Sequence, residues 1–267
     1  MPPEPINLFP AGGDAEQVRS LRSGEAPADA ADDWQPDPPT AKRVARRAVA
    51  LTLLTTRATL ERDFGKSDAV PESFDRLQRW MTELRIGKEL EPWEKQAITA
   101  PPGQLDRQAA LNAMWRIEGL EVLTWALGLK GLPRYDQMSD VDGPWTAVGL
   151  FDTEKVTKLL DRPTLRSPEE LDGFRKQMLG YHWRLREFRV RPGRMDFRAF
   201  AAKCWFGSFD LAGFELKDDE LALHGQRLDE ADEGVFGVCQ SIVMERHQAV
   251  NWLCWGPEVY SDADVST

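Results

Sequence analysis

Several ingredients of common mechanisms are missing from this sequence. No glycine-rich phosphate loop of either familiar spacing occurs, so a nucleotide cofactor has no support. The three histidines, His182, His224 and His247, and the three cysteines, Cys204, Cys239 and Cys254, show no CxxC, HxH or HExxH spacing. Glu245 and His247, two apart on one helix, point to nearly opposite sides, and neither a metal nor a cofactor is expected. An odd number of scattered cysteines argues against a disulfide framework and for small apolar fillers in a reducing compartment. A Cys254–His247 nucleophile pair fails on distance, because seven helical positions separate them by about 10 Å along the axis. The longest apolar run, Gly119 to Leu129, is interrupted by Glu121 and is far shorter than the roughly 20 residues of a membrane span. The opening MPPEPINLFPAGGDAE lacks a basic start followed by an apolar stretch, and the expected location is the cytoplasm.

What remains is the composition of a soluble globule: 42 % apolar and 29 % charged over 267 residues, enough for a sizeable core. Ten tryptophans against three tyrosines point to several indoles as core anchors. The net charge of -10 disfavours nucleic acid and anionic membranes as partners. The basic, aromatic run from His182 to Arg198 has the make-up to stack on single strands. Asp218, Asp219, Glu220, Asp229, Glu230, Asp232 and Glu233 nevertheless follow it as an in-chain partner of opposite sign.

Residues 1–38 are rich in Pro, Gly, Ala and Asp without sustained periodicity, and read as an acidic tail. A single helical domain is expected over 39–267. Apolar periodicity and end signals place helices from Thr40 to Phe64, Pro71 to Ile86, Glu91 to Ile98 and Gln104 to Leu129. The stretch from Tyr135 to Leu165 is largely irregular, with a short helix over Phe151–Leu160. Ser167-Pro168-Glu169-Glu170 then opens a helix to Val190, and Phe197–Trp205 adds another. Alternation around an acidic turn makes Phe214–Leu228 a small antiparallel hairpin. The last helix spans Val238–Trp255. The expected fold is mainly α, a bundle around the central buried helix 104–129, with one small β-hairpin.

Two helices carry charges where their period demands apolar residues. In the last, Glu245 and Arg246 interrupt the stripe of Cys239, Ile242, Val243, Val250 and Leu253. In the central helix, Glu118 shares a stripe with Trp115, Val122 and Ala126, and Arg116 precedes a leucine stripe. Since a lone buried ion costs several kcal/mol, by order of magnitude, Glu118 should pair with Arg246 and Glu245 with Arg116, or the reverse, with tryptophan donors helping. His247 and Asn251, four apart, extend the network, so the candidate polar cluster is Trp115, Arg116, Glu118, Glu245, Arg246, His247, Asn251 and Trp252. Its first reading is architectural, with no catalytic residue assigned. The corresponding function is a non-enzymatic module that binds a protein partner through an acidic face, for instance an immunity- or antitoxin-like partner masking a basic toxin. The alternative is an enzyme on a small anionic or polar substrate. There Glu118 or Glu245 would be acid or base, Arg116 or Arg246 would hold the anion, and His247 would move a proton.

Three stretches carry a family resemblance: AKRVARRAVALTLLTTRATLE from Ala41, WRIEGLEVLTWALGLKGLP from Trp115 and ERHQAVNWLCW from Glu245. Together they resemble the bacterial domain of unknown function 4272 family, which pairs a WR-E-L-LWALG-LP block with a later ERH-ALNWL block. The resemblance runs from about residue 40 to the end and implies a cytosolic, mainly helical domain without an established activity. On matching positions, Trp115, Arg116, Glu118, Trp125, Ala126, Leu127, Gly128, Glu245, Arg246, His247, Asn251, Trp252 and Leu253 are this chain's versions of those blocks. The closing SDADVST differs from the more acidic, tryptophan-containing tail of the family.

Overall fold

Four long helices form the body of the protein, seen in a computed structural model that describes residues 37–267. They are α1 (Ala41–Asp63), α4 (Arg107–Ala126), α7 (Pro168–Val190) and α9 (Glu233–Trp255). They pack in the order α1, α4, α9, α7, so α4 and α9 are the inner pair. The tail read over 1–38 lies outside the described residues except for its last two positions.

Local chemistry sets most helix ends. The Thr40 hydroxyl accepts from the Arg43 amide to cap α1, and Asp106 and Asp232 cap α4 and α9 through their carboxylates. Ser167 and Glu170 form a reciprocal capping box with Pro168 at the first position of α7, as the sequence signals indicated. Gly256 ends α9 in a left-handed conformation (φ 56°) with the backbone of Asp37 pressed against it, a place where only glycine fits.

The short helices α2 (Val70–Glu83), α3 (Pro92–Thr99), α5 (Asp142–Val148) and α6 (Thr153–Asp161) surround α1. Helix α1 is consequently buried on almost every face from Val44 to Ala58, sharing with α4 the central position expected for α4 alone. Its small residues allow that: Ala45, Ala48 and Ala50 pack closely, while Thr52, Thr55 and Thr56 return their hydroxyls to carbonyls one turn back. Trp80, Trp115 and Trp252 are core anchors, whereas Trp205 stands 71 % exposed.

On the other flank, α8 (Phe197–Lys203) and a small sheet lie against α7 and α9. The sheet has strands β1 (Leu216–Lys217), β2 (Glu220–Leu223) and β3 (Gln226–Arg227), antiparallel in the order β1-β2-β3. The expected hairpin is therefore β1–β2, and a second tight turn at His224-Gly225 adds the third strand.

Several boundaries differ from the sequence reading; α2 ends at Glu83 rather than Ile86, and α8 at Lys203 rather than Trp205. Helix α4 is three residues shorter at each end, because Asp106 caps its start and left-handed Gly128 stops it. Helix α9 begins five residues earlier, at the Asp232 cap, running through Gly234. Helix α5 was not expected, since its seven residues, with Gly143 and Pro144 among them, are too few for a sustained apolar period. Among the described residues, no helix is long and apolar enough to cross a membrane.

Candidate functional site

Helices α4 and α9 place Glu118 against Arg246 and Arg116 against Glu245. Arg246 donates to Glu118 Oε2 from Nε at 2.9 Å, and its Nη2 stands 2.8 Å from the same oxygen. Ser139 completes the carboxylate, its amide donating to Oε1 at 2.7 Å and its hydroxyl to Oε2 at 2.9 Å. The remaining Arg246 donors reach the carbonyls of Arg134 at 2.9 Å and Gln137 at 2.7 Å. This pair lies wholly inside the protein and pins the 133–139 segment onto both helices. A fully hydrogen-bonded buried pair of this kind specifies position more than it adds stability.

The second pair is less deeply sealed. Arg116 Nη1 donates to Glu245 Oε2 at 2.9 Å and to Gln248 Oε1 at 2.7 Å. Burial lifts the Glu245 carboxyl above the usual range while Arg116 opposes the shift. The Arg116 guanidinium stands 5.8 Å from the Tyr260 ring centre, and Arg47 of α1 lies over the same ring at 4.5 Å. Arg47 is itself held by Glu94, with Nη1 donating to Oε2 at 2.9 Å. Charged groups thus run from α1 to α9 with one aromatic ring between the two arginines. The Tyr260 hydroxyl is buried without a partner among the described residues and faces Gly119, where a Cβ would collide with it.

Neither tryptophan donor serves these pairs. Trp115 Nε1 is buried without a partner among the described residues, and Trp252 Nε1 donates to the Pro257 carbonyl at 3.2 Å. On Glu118 both oxygens are already taken by Arg246 and Ser139, which leaves an indole no role there.

His247 turns away from the Glu–Arg pairs. Its Nδ1 is 3.0 Å from Nδ1 of His182 on α7, and its Nε2 is 3.0 Å from Asn251 Nδ2. Asn251 Nδ2 also donates to the Asp264 carbonyl at 2.6 Å, which orients the amide. The network assigns the tautomers: His247 accepts on Nε2 and donates from Nδ1, so His182 accepts on Nδ1. Burial pulls His182 down to about 4, with Arg186 adding to the effect. Burial likewise pulls His247 down to about 3, reinforced by His182 and Arg175. Both rings are neutral at pH 7.

Two further buried elements escaped the sequence reading, the Arg47–Glu94 pair and His182, and the burial of the Arg184–Glu220 pair between α7 and β2 was not foreseen. The periodicity of α1 held the signal for Arg47, which is three residues after Val44 and four before Leu51. The basic run does meet the acidic stretch, through Arg184–Glu220 and Arg198–Asp219. No three His, Cys, Asp or Glu side chains converge as a metal site among the described residues.

Two clefts adjoin the cluster. The first, about 680 Å³, lies between the end of α4, α7 and the 208–214 loop. Trp125, Tyr135, Phe174, Phe209 and Phe214 form its walls, Arg134, Arg166 and Lys176 line it, and Arg246 reaches it from inside. The second, about 740 Å³, lies between the end of α1, the first half of α4 and residues 138–141. Neither Glu118 nor Glu245 lines these two clefts, and only Trp115 and Arg246 of the candidate cluster do.

These features define a mainly helical protein with ion pairs in its core and open clefts beside them. The sequence model of the family described as Domain of unknown function (DUF4272) matches residues 28–196, well over half of the chain, and the chain belongs to that family. The matched stretch holds Arg116 and Glu118 but stops before α8, so Glu245, Arg246 and the ERHQAVNWLCW block lie beyond it. No curated protein and no solved structure matches the chain.

Proposed function

We propose that the protein is a non-catalytic protein-interaction module whose recognition element is the aromatic cleft between α4, α7 and the 208–214 loop. The lining of that cleft carries the reading. Aromatic and arginine side chains in a concave site are what the energetic centres of protein interfaces are made of. The cations are held in place: Arg166 lies 5.0 Å over Trp125 with Nε on the Trp125 carbonyl and Nη1 on Glu170, Lys176 is tethered by Asp172, and Arg134 by Asp136 and Glu215. All three side chains keep about a third or more of their surface exposed, leaving outer donors for a partner's carboxylates. Large exposed apolar residues adjoin it. Leu129 lies between Trp125 and Leu132 in the chain, and Trp205 packs on Phe206 beside Phe209.

The partner is therefore a protein segment that presents carboxylates among apolar side chains. A toxin-masking role would instead use an acidic face, and Arg198 and Arg227 already draw in Asp219, Asp218, Asp229 and Glu230. An enzymatic reading would need a free acid, base or nucleophile in a cleft. Glu118 and Arg246 are saturated by each other and by their neighbours, and burial pushes the Cys239 and Cys254 thiols up to about 12 and about 11. Such unreactive free thiols suit a reducing, cytoplasmic setting.

The test is a pull-down from the native host with the full chain and with the Arg166→Glu/Lys176→Glu variant. A protein recovered by the first and lost by the second, at unchanged melting temperature, supports the reading. Recovery of the same proteins by both chains, or of none, refutes it.

A further inference from the structure

The cleft between the end of α1, the first half of α4 and residues 138–141 has apolar walls and a polar corner. Ala110, Met114 and Ile117 recur along it at helical spacing on α4, with Leu111 beside them. Ala58 of α1 and Met138 supply the other walls. The two alanines leave room that longer side chains would fill. Leu111 and Met114 are only half-buried and Met138 is 38 % exposed, so apolar surface is left open here rather than packed.

Trp115 and Ser139 form the polar corner. Both line the cleft, and they are 1 % and 7 % exposed. Ser139 bonds Glu118, which follows Trp115 by three residues on the same side of α4, so the indole and the serine lie close together. Their chemistry is opposite. Trp115 Nε1 is a donor with no partner among the described residues. The Ser139 hydroxyl donates to Glu118 Oε2 at 2.9 Å, which leaves its oxygen as an acceptor. Both oxygens of Glu118 are engaged by Ser139 and Arg246, and the indole N–H stays unmet. A buried donor in that state costs free energy until an acceptor reaches it.

We propose that this cleft binds a neutral medium-chain alcohol. Its hydroxyl accepts from Trp115 Nε1 and donates to Ser139 Oγ, and its chain lies along α4 past Met114. A hydroxyl is a small neutral group that does both. An ionised head would forfeit its hydration beside the saturated Glu118–Arg246 pair. From Ala110 to Ile117 the helix rises about 10 Å, the span of an extended chain of about eight carbons. Met114 and Met138 adapt to a chain without a fixed shape. The volume of about 740 Å³ is that of a small-molecule site. This site is separate from the aromatic cleft and independent of the interaction function proposed for it.

The experiment is calorimetric titration of the full chain with 1-octanol, the isomeric ether 1-methoxyheptane and octanoate. The expected result is one saturable octanol site per chain. The ether, which accepts but does not donate, binds at least threefold more weakly, and octanoate at least tenfold more weakly. Trp115→Phe keeps an aromatic ring, deletes the donor and lowers octanol affinity at least threefold. Ala110→Phe fills the cleft and abolishes octanol binding. If Trp115→Phe melts early, the comparison of alcohol and ether on the unaltered chain decides in its place. Absence of saturable octanol binding, equal affinity for the alcohol and either the ether or octanoate, or indifference to Ala110→Phe overturns the proposal. Arg166→Glu/Lys176→Glu retains octanol binding, which separates this site from the aromatic cleft.

Discussion

Acidification should unlock the core at the His182–His247 contact. The chain from the Asp264 carbonyl through Asn251 and His247 to His182 has one donor for each acceptor only while both rings are neutral. A proton on His247 Nε2 would face the Asn251 amide hydrogens, and one on His182 Nδ1 would face the His247 N–H. Both native pKa values, about 4 and about 3, lie below the ordinary value of 6.5. The unfolded chain therefore binds more protons in this window, and stability rises with pH there. The contribution is complete above pH 6.5 and is lost as pH falls toward the native values. At pH 4.5 each ring has lost about 2 to 3 kcal/mol, at about 1.4 kcal/mol per pH unit, and the pair about 5 kcal/mol. That is a large part of the roughly 5–15 kcal/mol that keeps a domain folded.

The assay is urea unfolding at pH 7 and pH 4.5 for the wild type and for His182→Gln/His247→Gln. The carboxylates held below their usual range, such as Asp136 and Glu91, also lose stability on acidification, but they do so in both proteins and cancel. The wild type should lose about 5 kcal/mol more than the variant across this interval. Equal losses, or imidazole signals of His182 and His247 that titrate near pH 6.5 by NMR, would refute the reasoning. Asn251→Asp supplies the complementary check, because a carboxylate facing Nε2 raises the His247 pKa, removes part of the acid-side loss and shifts the acid-unfolding profile to lower pH.

Two other predictions concern packing. Arg246→Met leaves the Glu118 carboxylate buried with Ser139 alone and strips two carbonyls of their donors, costing about 3–5 kcal/mol in urea unfolding. Adding Glu118→Gln recovers part of that loss, whereas strict additivity would mean the two groups do not act as a pair. Gly119→Ala drives a methyl into the Tyr260 hydroxyl and costs about 1–3 kcal/mol in thermal unfolding. Tyr260→Phe alone costs little, since its hydroxyl has no partner among the described residues, and the double variant recovers stability as the clash disappears.

Local chemistry was legible where one residue type does one job. The helix start at Ser167-Pro168, the opening near Thr40 and the apolar period of α4 are read directly from sequence. The misplaced charges in α4 and α9 were legible for the same reason, because Glu118 and Arg246 occupy positions where helical geometry forces burial. Arg47 obeys the same geometry yet escaped notice, since an arginine near a helix start reads as solvated until α3 brings Glu94 to it. The His182–His247 contact joins residues 65 apart on two helices, and no local pattern announces it. The two clefts depend on how three elements fail to close on each other, which periodicity does not encode.

The buried Glu118–Arg246 pair and the open clefts belong to one arrangement. Arg246 and Glu118 hold residues 133–139 through the carbonyls of Arg134 and Gln137 and through Ser139. That short segment is a wall of both sites: Arg134 and Tyr135 face the aromatic cleft, and Met138 and Ser139 face the cleft along α4. An apolar core would have sealed α4 against α9 at least as well. It would not have offered donors to two carbonyls and an acceptor to one amide of a segment that has no helix or strand of its own. The charges that break the apolar period of two helices thus position the surface between two clefts, and of the four only Arg246 lines one of them.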